Sequence, residues 1–423
     1  MIKKCAGVKV LLILVSVSVL TAEPVVIKGD MLKDFCGKSI ASIRLCNFRK
    51  EPVPFQIDEL TRNGNYICHE GSAPNTDSSN GLLDPQDEVV FLSEDCIDTG
   101  DIHLLPNTPG VSYFPIKIKS DPQSWAYITN DSTVPISKKK YIEYDAAKQL
   151  VKTPFYYAQF GIDRFHFTKA GIFEAEGKRY LDLTSELAVS IYLRALWGLI
   201  PIHYTENNLI CIVTRYKTGP VRLIRGGNFH LNLGLGIRGS RAYVNQICYP
   251  QIVKVPVKVH VPIRFGTFFS EAYIEMCPVV KKNGNFEFKI PEINVTEKIN
   301  SDKYLDTLIP VNPNNRFFAV TNGRIGYGWI LQAIIENRYL SGSSFVFRRP
   351  SLRELNSADC GYRMMIRDLP KGIYEINNWV LFSKTSFSYL TKLSSVIKSP
   401  TEIETPWGRC INQIGLNPSI MVK

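Results

Sequence analysis

The sequence predicts an all-β protein, a small N-terminal β-sandwich followed by a larger β-sandwich domain. Two patterns lead there. Short β-branched and aromatic runs recur between Gly, Pro, Asn and Asp clusters, while long helical periodicity is nearly absent. One stretch also alternates without a break: Val253, Val255, Val257, Val259, Val261, Ile263 and Phe265 share a face, and Lys254, Pro256, Lys258, His260, Pro262 and Arg264 share the other. At roughly 3.3 Å per residue that run would span about 43 Å, long for a strand. With 423 residues, 45% hydrophobic and 21% charged, the chain is neither disordered nor a multi-span membrane protein.

Taken in order, the elements begin with a leader. Lys3 and Lys4 precede an apolar run from Val10 to Leu20, and Thr21-Ala22 offers a small residue before Glu23. This is the pattern of a secretory signal peptide over residues 1–22, too short to span a bilayer. It implies an exported protein, periplasmic or extracellular, with no transmembrane segment after processing. The net charge of +11 falls to about +8 once Lys3, Lys4 and Lys9 leave. That surplus suits a basic surface, and export argues against nucleic acid as its partner.

Nine cysteines remain after Cys5 goes with the leader, and none forms a CxxC pair. Zinc ribbons and thioredoxin-type motifs are therefore not indicated. In an oxidising compartment, disulfides among Cys36, Cys46, Cys68 and Cys96 are expected, with Cys36–Cys46 the shortest loop. The odd count leaves at least one thiol unpaired.

Residues 23–135 read as the N-terminal module: VPFQIDEL, a polar and mobile loop from His69 to Gly81, LLDPQDEVVFLSED, then the alternating SYFPIKIKS and SWAYI. Residues 136–423 read as the large domain. Leu187–Tyr204 suits two strands better than a helix, because of Pro201 and its Ile, Val and Tyr content. Trp329–Leu340 is the candidate for one short helix. FHLNLGLGI, residues 229–237, reads as a second alternating strand. Two prolines place the Val253–Phe265 strand at a sheet edge or at bulges.

Two clusters carry candidate chemistry. Asp58, Glu59, Asp84, Asp87 and Glu88, with Asp95, Asp98 and Asp101, form the acidic one. Asp84, Asp87 and Glu88 could ligate calcium through hard oxygens, but the spacing is not that of an EF-hand, and capping of turns is the structural alternative. No other cofactor is indicated. The basic cluster is the ladder Lys254, Lys258, His260 and Arg264, joined by His230, Asn232 and Arg238 if these lie on a neighbouring strand. Gly234 and Gly236 would leave room there, and Arg222, Arg225 and Arg241 add charge. Such a face favours an acidic polysaccharide; a solvated outer face is the plain alternative. No catalytic residue is assignable: HExxH, GxSxG, P-loop and dinucleotide motifs are all absent.

PFQIDEL followed by LDPQDEVVFLSED resembles the N-terminal signature of a group of uncharacterised secreted bacterial β-sandwich proteins. The matching residues are Gln56, Asp58, Glu59, Asp87, Glu88, Val90, Phe91 and Leu92, with further likeness in SWAYI, TGPVRLIR and GIYEINNWVLFS. That group is similar to the β-supersandwich class of galactose mutarotase and several polysaccharide lyases. The resemblance implies a larger domain that is supersandwich-like and faces carbohydrate, and it supplies no catalytic residue. The expected role is binding of an envelope or extracellular glycan. The rivals are a lyase or mutarotase-like enzyme, and an envelope assembly protein that holds a protein partner by pairing at the Val253–Phe265 strand.

Overall fold

A computed structural model describes residues 23–96, 110–120, 123–164, 166–174, 179–234, 237–261, 263–281, 285–299, 307–311, 317–335, 337–348 and 357–414. The fold is all-β, with sandwich-like antiparallel sheets of three, five, nine and ten strands. The leader, Asp98 and Asp101 lie outside the described residues.

In the N-terminal part, the strands Pro24–Lys28, Glu88–Leu92 and Phe55–Asp58 form the three-stranded sheet. The five-stranded sheet holds Arg44–Cys46, Ser124–Thr129 and Tyr113–Ile118, completed by Glu402–Thr405 and Gly408–Ile411 from the far end of the chain. Their facing sides share a core of Val25, Ile27, Val89, Phe91, Ile116, Ile128 and Ile403. The other side of the three-stranded sheet is buried too. Val26, Val90 and Leu92 belong to the core of the large sandwich. Alternation therefore gives way to the continuous apolar run EVVFL, as expected of a strand covered on both faces.

The two large sheets stack through aromatic contacts. Phe288 lies parallel to Phe347 at 5.5 Å, Phe318 meets Phe345 edge-on at 5.8 Å, and Tyr156 stacks on Phe382 at 4.2 Å. Arg225 is buried between the sheets, bonded to Gln246 and Gln149 and set 4.0 Å over the Phe160 ring. An interior cavity of about 50 Å³ is lined by His166, Gln246, Val255, Met276 and Asn378, among others. That volume suits one or two waters, far below a small-molecule pocket.

Several expectations change. Leu187–Tyr204 does form two strands, Arg179–Ala195 and Ile200–Thr205. Trp329–Leu340 does not form the helix: Gly326–Ile334 is a strand paired with Phe317–Thr321 and Gly372–Ser383. The helix is Phe387–Lys398, started by Ser386 accepting from the Tyr389 amide and burying Tyr389, Leu390, Leu393 and Ile397 on one face. FHLNLGLGI is not one strand. Leu223–Gly234 and Ile237–Cys248 are two strands paired antiparallel, and residues 235–236 lie outside the described residues.

The long alternating strand runs from Ile252 to Val261, between Ile237–Cys248 and Gly372–Ser383, so it is interior rather than an edge. Pro256 is tolerated because the ladder breaks for it. Pairing toward Ile237–Cys248 holds at Val257, Lys254 and Val253 and skips Val255 and Pro256. The His69–Gly81 loop is pinned: Asn75 holds the Cys68 amide and the Tyr66 carbonyl, and Glu59 takes Ser79 and the amides of Asn80 and Gly81.

All nine described cysteines are free thiols, so the Cys36–Cys46 pairing is not formed. Cys36 ends a turn, with its Sγ donating to the Gly29 carbonyl, while Cys46 is buried beside Tyr127 and Val134 in a separate apolar cluster.

Candidate functional site

One face of the nine-stranded sheet meets the other large sheet; the opposite face carries the sequence-predicted polar residues. Val253, Val255, Gln246 and Asn378 line the interior cavity. Period-two alternation therefore sends Lys254, Lys258, His260, Asn245 and Asn377 outward. That outer face divides into a covered part and an open part.

The covered part is the junction with the N-terminal module. Gln56 Oε1 accepts from the Val221 and Arg222 amides, and its Nε2 donates to Asp58. Arg222 donates from Nε to Asp58 at 2.8 Å, from Nη2 to Glu88 at 2.6 Å and from Nη1 to the Tyr249 hydroxyl at 2.8 Å. Lys217 closes on Asp58 at 3.0 Å, and Lys28 on Glu88 at 2.8 Å. Tyr66 donates to Glu88 as well. Burial raises the carboxyls of Asp58 and Glu88, yet the neighbouring cations outweigh it and hold both down, Glu88 to about 2.

The QIDE and DEVVFL motifs thus key the two modules together. The calcium candidates are occupied in the same way. Asp87 accepts from the Leu60 and Asp84 amides, Asp84 accepts from Asn80, and Glu88 is taken by Arg222, Lys28 and Tyr66. Among the described residues no three metal-ligating side chains converge.

Farther along, the helix and the C-terminal segment close another part of the face. The Trp379 indole donates to the Ile414 carbonyl, and Lys254 donates to the Gln413 carbonyl while lying 5.8 Å over the Trp379 ring. Desolvation lowers the Lys254 ammonium to about 8. Lys254 is therefore half-buried, beneath the C-terminal segment.

The open part follows. Lys258 and His260 are exposed and face Glu375 and Ile373 across the strand pair. Ile373 is 72% exposed. Opposite Pro256 stands Asn377, which donates to Glu375 at 2.9 Å. On the other flank lies Asn245, in the register gap that Pro256 opens. The Oδ1 atoms of Asn377 and Asn245 are buried and meet no donor among the described residues. Beyond them Arg215 donates to the Tyr243 hydroxyl at 2.7 Å and stacks on its ring. Gly226 makes room for that contact, since a Cβ there would sit 1.9 Å from the hydroxyl oxygen. Burial raises the Tyr243 hydroxyl above its ordinary range.

The remaining predicted residues scatter. Arg264 lies past the strand end, exposed and ion-paired with Asp368, which also accepts the Gly266 amide. His230 and Asn232 are one strand farther out than the neighbour of Ile252–Val261, on Leu223–Gly234. Arg238 sits on that neighbour, paired in register with Asn232; its side chain and that of Arg241 lie outside the described residues. Asn377, Asn245 and Tyr243 were not singled out from sequence. The signal for Asn377 was the Asn377-Asn378 amide pair just before the apolar run Trp379–Phe382.

Fold and face together define an all-β protein of sandwich-like antiparallel sheets with a polar outer sheet surface. No family model matches the chain, and no curated protein matches its sequence. Among solved structures it is similar to an α-mannosidase from Enterococcus faecalis, with a TM-score of 0.48 at 8% identity over 93% of this chain and 45% of that one. A putative aldose 1-epimerase from Klebsiella pneumoniae subsp. pneumoniae aligns with a TM-score of 0.35 at 8% identity, over 58% of this chain and 83% of that one. A heparinase III aligns with a TM-score of 0.25 at 6% identity, over 47% and 26%. The chain thus spans less than half the length of the mannosidase.

Proposed function

We propose that this is an exported protein that binds glycan, acidic polysaccharide in particular, on the open outer face around Pro256. The observation that carries the reading is the pair of buried amide oxygens, Asn245 Oδ1 and Asn377 Oδ1, that meet no donor among the described residues. A buried acceptor left unpaired costs free energy, and a hydroxyl donor that reaches it when the side chains above it turn aside removes that cost. Sugars supply such donors in rows. Lys258 adds a cation for a uronate or sulfate group, and Ile373 and the Pro256 ring offer apolar surface to the C–H face of a sugar ring. The sheet is open and extended there, which suits a polymer.

Binding is favoured over lyase chemistry. The tyrosine nearest the open face, Tyr243, holds its proton more tightly than usual and accepts from Arg215, so it is not poised as a base. Edge-strand capture at Ile252–Val261 is not available, because that strand has neighbours on both sides.

Calorimetric titration of a polyuronate and a neutral glucan tests the reading. We expect binding of the polyuronate, about tenfold weaker in Asn377→Leu with an unchanged melting temperature. Equal affinity in Asn377→Leu rejects the site. Ultraviolet absorbance from an unsaturated product would overturn the choice of binding over lysis.

A further inference from the structure

The Arg179–Ala195 and Ile200–Thr205 strands form a hairpin whose tip is unlike any solvent-facing turn. Trp197 is 85% exposed and Leu199 79%, with Leu196 and Ile200 also exposed. Leu196, Trp197 and Gly198 all take left-handed backbone, with φ of 48°, 57° and 92°. Glycine or asparagine would hold such a turn without strain, and polar residues would hold it without exposing apolar area. A leucine and a tryptophan there incur both costs at once, which points to a use for the exposed side chains.

A second loop extends the patch. The Leu196 amide donates to the Phe268 carbonyl, and Phe268 and Ile263 are themselves exposed. The surrounding charge is one-sided. Phe265 and Arg367 tie this loop to 367–371 and to Tyr339 through backbone bonds, gathering exposed Arg194, Arg264, Arg338, Arg367 and Lys371 at one end of the sandwich. The acids beside them, Glu271 and Asp368, are paired with Arg194 and Arg264.

We propose that this end docks on an anionic lipid surface, with Trp197 and Leu199 entering the boundary between headgroups and acyl chains and the Arg/Lys cluster meeting the lipid charge. The shape argues for a bilayer, since the apolar residues crown a convex tip instead of lining a groove. An amphipathic aromatic flanked by basic residues is what that boundary accepts. The proposal is independent of the glycan-binding face.

Co-sedimentation with vesicles of phosphatidylglycerol and of phosphatidylcholine tests it, using the purified chain and its W197S/L199S variant. The leader is common to both proteins, so the difference between them reports the tip. Expected are binding to phosphatidylglycerol vesicles weakened about tenfold in the variant, a blue shift of tryptophan emission that the variant lacks, and quenching by brominated acyl chains. R367E/K371E should weaken binding while keeping the melting temperature. Unchanged binding in W197S/L199S, or equal binding to phosphatidylcholine, overturns the proposal. Dimerisation that W197S/L199S abolishes, with no vesicle binding, would assign the tip to a protein interface and overturn it as well.

Discussion

The outer face of the nine-stranded sheet holds two polar clusters that look alike in sequence and differ in kind. Around Arg222 the guanidinium and both carboxylates are buried, the two lysines are half-buried, and each carboxylate has its counter-charges within 3.0 Å: Asp58 with Arg222 and Lys217, Glu88 with Arg222 and Lys28. Around Pro256, Lys258 and His260 are exposed and two amide oxygens meet no donor among the described residues. The first cluster is neutralised by the protein's own cations, which surround both carboxylates. The second is left open. Composition does not distinguish a module junction from a binding face; the degree to which polar groups are already paired does.

The sharpest way to break that contrast is Arg222→Ala. It removes the buried cation shared by Asp58 and Glu88 and leaves each carboxylate only a half-buried lysine, so unfolding free energy should fall by about 3 kcal/mol in urea denaturation. A loss below about 1 kcal/mol would mean the junction is wet and the contrast false.

Acid should act on the junction next. The pKa of Glu88 is depressed on folding, so its stabilising contribution is full above its ordinary carboxylate range and is lost as pH falls from about 4.5 toward about 2. Asp58 shifts in the same direction. Melting temperatures should drop across that window in the wild type and much less in a Glu88→Gln variant measured against its own neutral-pH value.

On the open face the expected effects on stability are smaller. Asn377→Leu should change stability by less than about 1 kcal/mol, because deleting an unpaired buried acceptor offsets the lost donation to Glu375, while polyuronate affinity falls. The smallest effect belongs to Lys258→Ala. An exposed charge contributes about 0.2–1 kcal/mol, so affinity should fall by a few-fold at low salt and converge with the wild type at high salt.

Much of this organisation was legible in the chain. Unbroken alternation from Val253 marked a strand with one apolar face, and Pro201 with its β-branched surroundings marked the Arg179–Thr205 hairpin. Both are local properties, set by side chains that point to opposite faces with period two. Trp329–Leu340 misled because a short apolar run is equally compatible with a buried strand and a helix; long-range pairing with Phe317–Thr321 and Gly372–Ser383 decided it. Arg264 belonged to the ladder by parity alone, and its loop delivered it to Asp368 instead.

By itself, then, the sequence determined the all-β class, the polar face of the Ile252–Val261 strand and the acidic motifs, since periodicity and residue type are read along the chain. Tertiary structure decided what those features are for. It brought Arg222 to Asp58 and Glu88 across more than a hundred residues, laid the C-terminal segment over Lys254, and set the buried amide oxygens of Asn245 and Asn377 on either side of Pro256. Which strands become neighbours, and which face another segment covers, depends on contacts between distant residues that no local pattern encodes.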